Sequence, residues 1–139
     1  MLNYASARTR YLDDTVATAS PATLLVMMYD RLVRDLERAE FALTDGRRDL
    51  AHTELTHAQD IISELAATLD RDAWDGAEQL MGLYSFLGTA LVDANVAGDV
   101  AEVAACRGLI EPLRDAWKQA AEQVAQQESQ RTAGDLGAA

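Results

Sequence analysis

Leu25, Met28, Leu32, Leu36, Ala39 and Leu43 recur at spacings of three and four, and that one stripe narrows the folds open to this chain more than any other feature. At about 100° per residue the six side chains share one face of a helix, whereas a strand would scatter them over both faces. Asp30, Arg31, Arg34, Asp35, Glu37 and Arg38 are left for the remaining, solvated surface. Thr18-Ala19-Ser20-Pro21 reads as the helix start: Ser20 can accept from a free first-turn amide, and Pro21 suits the first position, where its missing N–H is not needed. Asp45-Gly46 reads as the stop.

The pattern repeats. A second helix is expected over about 47–70, with Ala51, Leu55, Ala58, Ile62, Leu65, Ala66 and Leu69 as its core stripe. A third, about 76–97, should start on Asp75, with Glu78 placed to complete a capping box. Leu80, Leu83, Leu87 and Leu91 form its main stripe, but Met81, Tyr84, Gly88 and Val92 form a second, and Phe86 and Ala90 lie on another side. A helix so apolar around its circumference must be covered on more than one face. Gly98 and Asp99 reset the chain, and Asp99 with Glu102 opens a fourth helix, about 100–125, presenting Val103, Cys106, Ile110, Leu113, Trp117 and Val124. Pro112 should interrupt it, with a kink near Gly108, whose carbonyl its ring meets. Residues 1–17 read as a flexible N-terminal segment and 126–139 as a disordered tail.

Four helices joined by short turns, within 139 residues, imply one all-α domain over 18–125, an antiparallel up-down four-helix bundle. Hydrophobic residues make up 49% and aromatic ones only 6%, with two prolines in all, which suits long Ala- and Leu-rich helices. The net charge of −11 argues against nucleic acid and anionic membrane surfaces as partners, since both need clustered Lys and Arg. Cys106 is the single cysteine, so no internal disulfide can form, and it is expected to be a small core residue. Nothing behind the arginines of residues 1–10 resembles a secretory signal, and no run reaches the roughly 20 apolar residues of a membrane span. A cytoplasmic protein without membrane insertion is the expectation.

Chemistry is hard to find. His52 and His57, five apart on one helix, diverge by about 140° and cannot share a metal. Both are expected to be solvated. Glu54 and His57 supply one E-x-x-H, but a bundle di-iron site needs two. No nucleophile elbow and no phosphate loop is present. The expectation is no enzyme, no metal and no cofactor. What remains is surplus apolar surface. Either it broadens an imperfect core, or it forms a groove along the second and third helices that receives a partner's amphipathic helix.

Four segments carry a family pattern. They are Val16-Ala17-Thr18-Ala19-Ser20-Pro21 with Leu24, Met27 and Tyr29-Asp30; Ala58-Gln59-Asp60-Ile61-Ile62-Ser63-Glu64-Leu65 with Leu69-Asp70; Leu83-Tyr84 with Leu91-Val92-Asp93-Ala94-Asn95; and Leu113-Arg114-Asp115-Ala116-Trp117-Lys118-Gln119-Ala120. In this order and spacing they resemble the flagellar export chaperones of the flagellin-binding FliS family, over about Tyr11 to Ala121. The chain departs from the family's pattern in three places: Arg31 replaces a glycine after the Tyr-Asp pair, the paired glycines of the second connection are reduced to Gly76, and Pro112 is unusual inside the fourth helix. The resemblance implies a cytoplasmic four-helix bundle that binds the C-terminal segment of flagellin, prevents premature polymerisation and assists delivery to the flagellar export gate. It implies no nucleotide or metal, and leaves other flagellar regulatory proteins open as partners. The alternative is a helical adaptor for another secretion or signalling client.

The candidate partner-binding residues are Tyr11, Leu50, Ile61, Met81, Tyr84, Gly88 and Val92. Tyr11 stands where the family has its N-terminal tyrosine. Leu50 and Ile61 lie to one flank of the second helix's stripe, with a core-flank role as the alternative. Met81, Tyr84, Gly88 and Val92 offer a shallow trough, with Tyr84 bracing the core as the alternative. Trp117 is expected to anchor the core.

Overall fold

In the computed structural model of the chain, residues 20–137 are described. They form four helices and no strand: α1 (Pro21–Thr44), α2 (Arg48–Thr68), α3 (Ala77–Ala97) and α4 (Val100–Gly137). The segment expected to be flexible, 1–17, lies outside the described residues, and Tyr11 with it.

The start of α1 is made as its sequence dictates. Pro21 is the first helical residue, and the Thr23 amide donates to Ser20 Oγ at 3.2 Å. The start of α4 is similar, with the Glu102 amide donating to Asp99 Oδ1 at 3.2 Å. The start of α3 differs from expectation. Its N-cap is Gly76, no side chain caps it, and Asp75 is not used; Glu78 instead lies 3.6 Å from Arg71 Nε. The Trp74 ring takes the space a side chain at position 76 would need, and the Ala77 amide donates to the Trp74 carbonyl. That turn leaves Asp75 no role as a cap.

The chain divides into two compact units. The larger, Met28–Arg114, holds the greater part of α1, all of α2 and α3, and the first half of α4. Its core closes on Leu32, Leu36 and Ala39; Ala51, Leu55, Ala58, Ile62 and Leu65; Leu80, Leu87, Leu91 and Ala94; and Val103, Cys106 and Ile110. Full burial of each Val, Leu or Ile side chain stabilises by roughly 1.5–3 kcal/mol. Polar contacts fix the directions. Arg48 and His52, at the start of α2, bond to Asn95 and Val96 at the end of α3. Asp30 faces Arg114 while Glu40, ten residues later, holds Arg107, seven residues earlier on α4. α2 is therefore antiparallel to α3, and α1 to α4: this unit is an antiparallel four-helix bundle.

The other unit takes its described residues from the start of α1 and from α4 from Asp115 onward. There Leu25, Trp117, Ala120 and Val124 line an apolar pocket of about 300 Å³.

Two expectations about α4 are corrected. Pro112 does not interrupt the helix. The carbonyl that loses its donor belongs to exposed Gly108, where water can replace the missing bond. Nor is 126–139 a disordered tail as far as it is described, since the helix continues to Gly137. Gln, Glu, Ala and Arg are adequate helix formers, and extending a helix needs no new nucleus.

α3 is also long and apolar enough, by length and composition, to cross a membrane, although no such span is expected from the sequence. Seven of its residues are buried within the described structure, so its apolar character is that of a core helix.

Candidate partner-binding surface

Contacts around α2 assign a direction to each of its faces. With Leu50 set at zero and about 100° per residue, His57 falls near 340°, Ile61 near 20° and Glu54 near 40°. His57 Nδ1 bonds to Asp35 on α1, and Leu50 and Glu54 share a groove with α1 residues, so this flank looks toward α1. Arg48 and His52, near 160° and 200°, reach the end of α3. Leu50 and Ile61 thus belong to the α1 side of α2, Leu50 being 47% exposed and Ile61 half-buried.

The α3 candidates lie on the other side. Gly88 faces Ile62, a Cβ at that position meeting Ile62 Cγ2 at 3.9 Å. Within about 80° of arc Tyr84, Gly88, Met81 and Val92 follow one another around the helix, and exposure rises in that order: Tyr84 buried, Gly88 and Met81 half-buried, Val92 46% exposed. Tyr84 is the corrected member. Its hydroxyl lies 2.6 Å from that of Tyr29, and burial, then the Tyr29 hydrogen bond, hold its phenol neutral well above the ordinary pKa. It braces the core, because its place on the helix turns it inward. The single groove expected along the second and third helices is accordingly divided: Leu50 and Ile61 lie toward α1, while Met81, Gly88 and Val92 flank the α3 side.

Periodicity missed two features. Asp35, assigned to solvent, is fully buried and accepts from Arg31 Nε at 2.9 Å as well as from His57. His57 is therefore a hydrogen-bond partner of Asp35 as well as a half-exposed surface group. The other feature is Phe41, 76% exposed, which with Ala42 and Leu50 lines a groove of about 360 Å³ between α1 and α2. Its signal was an aromatic ring off the α1 core stripe. Cys106 is buried as expected, and burial, then Glu102, pushes its thiol up to about 11. Among the described residues no three His, Cys, Asp or Glu side chains gather as a metal would need.

Residues 3–124 match the family model described as flagellar protein FliS. The chain belongs to the FliS family. The flagellar secretion chaperone FliS of Bacillus subtilis (strain 168) is 32% identical over 112 residues, covering 81% of this chain and 84% of that protein. The FliS of Escherichia coli (strain K12) is 31% identical over 110 residues, covering 78% and 81%. A flagellar chaperone from bacteria, known from a crystal structure, shares the fold with a TM-score of 0.69 at 21% identity, over 87% of this chain and 99% of that one. Family membership confirms the resemblance carried by the four sequence segments, and the last turns of α4, past residue 124, lie beyond the FliS match.

Proposed function

We propose that this chain is a cytoplasmic, non-catalytic chaperone that binds the C-terminal segment of flagellin, keeps it from polymerising prematurely, and assists its delivery to the flagellar export gate. The FliS relatives are named flagellar secretion chaperones, and the client and destination are those the family resemblance implied. The observation that carries the reading is the apolar surface outside a closed core: Phe41, Leu50, Phe86, Val92 and Val96 stand exposed while Leu32, Leu36, Leu55, Leu65, Leu87, Leu91, Val103 and Ile110 are buried. Scattered exposed apolar side chains are ordinary, but Phe41 and Leu50 share one groove, and an apolar groove of that kind supports an interaction site.

A flagellin terminus would be an amphipathic segment without an apolar partner until it joins a filament. Covering on the order of 400 Å² of apolar surface gives about 10 kcal/mol gross, and ordering the segment removes much of it. Binding of that kind is firm yet releasable. Leu50 and Ile61 would contact the client on the α1 side, and Met81, Gly88 and Val92 on the α3 side, with Tyr11 contributing from the N-terminal segment.

Co-expression with flagellin followed by size-exclusion chromatography tests the reading. A complex should form with full-length flagellin and be lost when its C-terminal segment is removed. Equal retention of the truncated flagellin would refute it.

A further inference from the structure

Glu37, Arg38, Phe41 and Ala42 of α1 face Leu50 and Glu54 of α2 across the 360 Å³ groove. They come in i,i+4 pairs, so the groove runs along the helix axes and matches the pitch of a third helix laid into it. Its floor is apolar. Each wall carries a carboxylate, and Glu37, Arg38 and Glu54 pair with no other described residue. The phenyl ring of Phe41, on α1 before the Asp45-Gly46 turn, is three-quarters exposed.

We infer that this groove docks a partner helix with apolar side chains at i and i+4 and a lysine or arginine on each flank. Phe41 and Leu50 close on the apolar pair, and Glu37 and Glu54 bind the flanking cations. Charge selects this occupant. A second copy of the chain carries the same net charge of −11 and is repelled, as is any acidic helix. Arg38, beside Glu37, disfavours a cation at its own position and so favours one orientation of the bound helix. The inference rests on the reading above, because it places one helix of the flagellin segment against α1 and α2 and makes Phe41 its anchor.

The test is titration of labelled monomeric flagellin with the full chain, the Phe41→Ala and Leu50→Ser variants, and the Glu37→Lys/Glu54→Lys variant, at low and high salt. Circular dichroism checks that each keeps its helicity. Phe41→Ala is expected to weaken binding about tenfold or more at either salt concentration. The double reversal should weaken it by about tenfold at low salt, with the gap closing at high salt as screening removes the charge pairs. If the wild-type chain binds while Phe41→Ala and Leu50→Ser bind as tightly, the groove is overturned and the chaperone reading stands. If the double reversal binds as tightly at low salt, a basic occupant is overturned. Absence of wild-type binding removes both.

Discussion

Asp35 is the buried charged side chain of the described residues, and its carboxylate is satisfied from two elements: Arg31 on its own helix and His57 on α2. A buried carboxylate without partners would be untenable, so these bonds are a condition of its burial. Asp35→Ala removes the link while leaving Arg31 and His57 free to rehydrate, since both are about half exposed. We expect a loss of about 2 kcal/mol in urea denaturation, without change in helical content. Cys106 gives a pH dependence. Its folded thiol titrates at about 11 against an ordinary 9.0, so the native state holds its proton where the unfolded chain releases it. That stability is complete below pH 9 and is lost as pH rises from 9 to about 11, on the order of 2–3 kcal/mol. Cys106→Ala should flatten the stability curve over this interval; an unchanged slope would show that the thiol contributes nothing. The burial of Cys106 was legible from its apolar stripe. That of Asp35 was not, because periodicity places residues on a helix face without telling that His57 of α2 lies against it.

The two ends of α3 show what an element needs from outside itself. At its end Gly98 adopts φ 65°, the left-handed conformation that lets its amide bond back to the Ala94 carbonyl. Arg48 then donates to the carbonyls of Asn95 and Val96, at 3.2 and 2.9 Å. A Cβ at position 98 would lie 2.7 Å from the Arg48 guanidinium. Gly98→Ala should therefore cost about 1–2 kcal/mol, combining backbone strain with displacement of Arg48. Thermal melts of Gly98→Ala, Arg48→Ala and the double variant will show it: the two effects should be less than additive. The glycine stop was legible in sequence, since few other residues tolerate that φ. The arginine cap was not, because it comes from a residue 50 positions away. Asp75 failed as a cap for a related reason, as the turn around Trp74 and Gly76 sets where α3 begins.

For the whole molecule, binding must be separable from folding if the chain is a chaperone. Ile61 is half-buried on the α1 side of α2, whereas its neighbour Ile62 is buried in the core. Ile61→Asp should weaken flagellin binding while circular dichroism keeps its helical minima, and Ile62→Asp should unfold the protein, since it buries an unpaired charge. Unfolding by Ile61→Asp would return that residue to the core and move the docking surface away from it. The acidic surface, with its net charge of −11, should make any association with a basic segment salt-dependent.

The order of apolar and polar residues was enough to determine four helices, most of their ends, the centres of the buried stripes and, through four spaced segments, the family. Those are local properties: a 3.6-residue period, a capping serine or aspartate and a left-handed glycine act within one or two turns. Tertiary structure alone decided the pairing of Asp35 with His57, the inward turn of Tyr84, the separation of Leu50 and Ile61 from the α3 candidates, and the emergence of Phe41 at a groove. Each depends on which helix lies beside which, and that arrangement is set by packing among residues far apart in the chain.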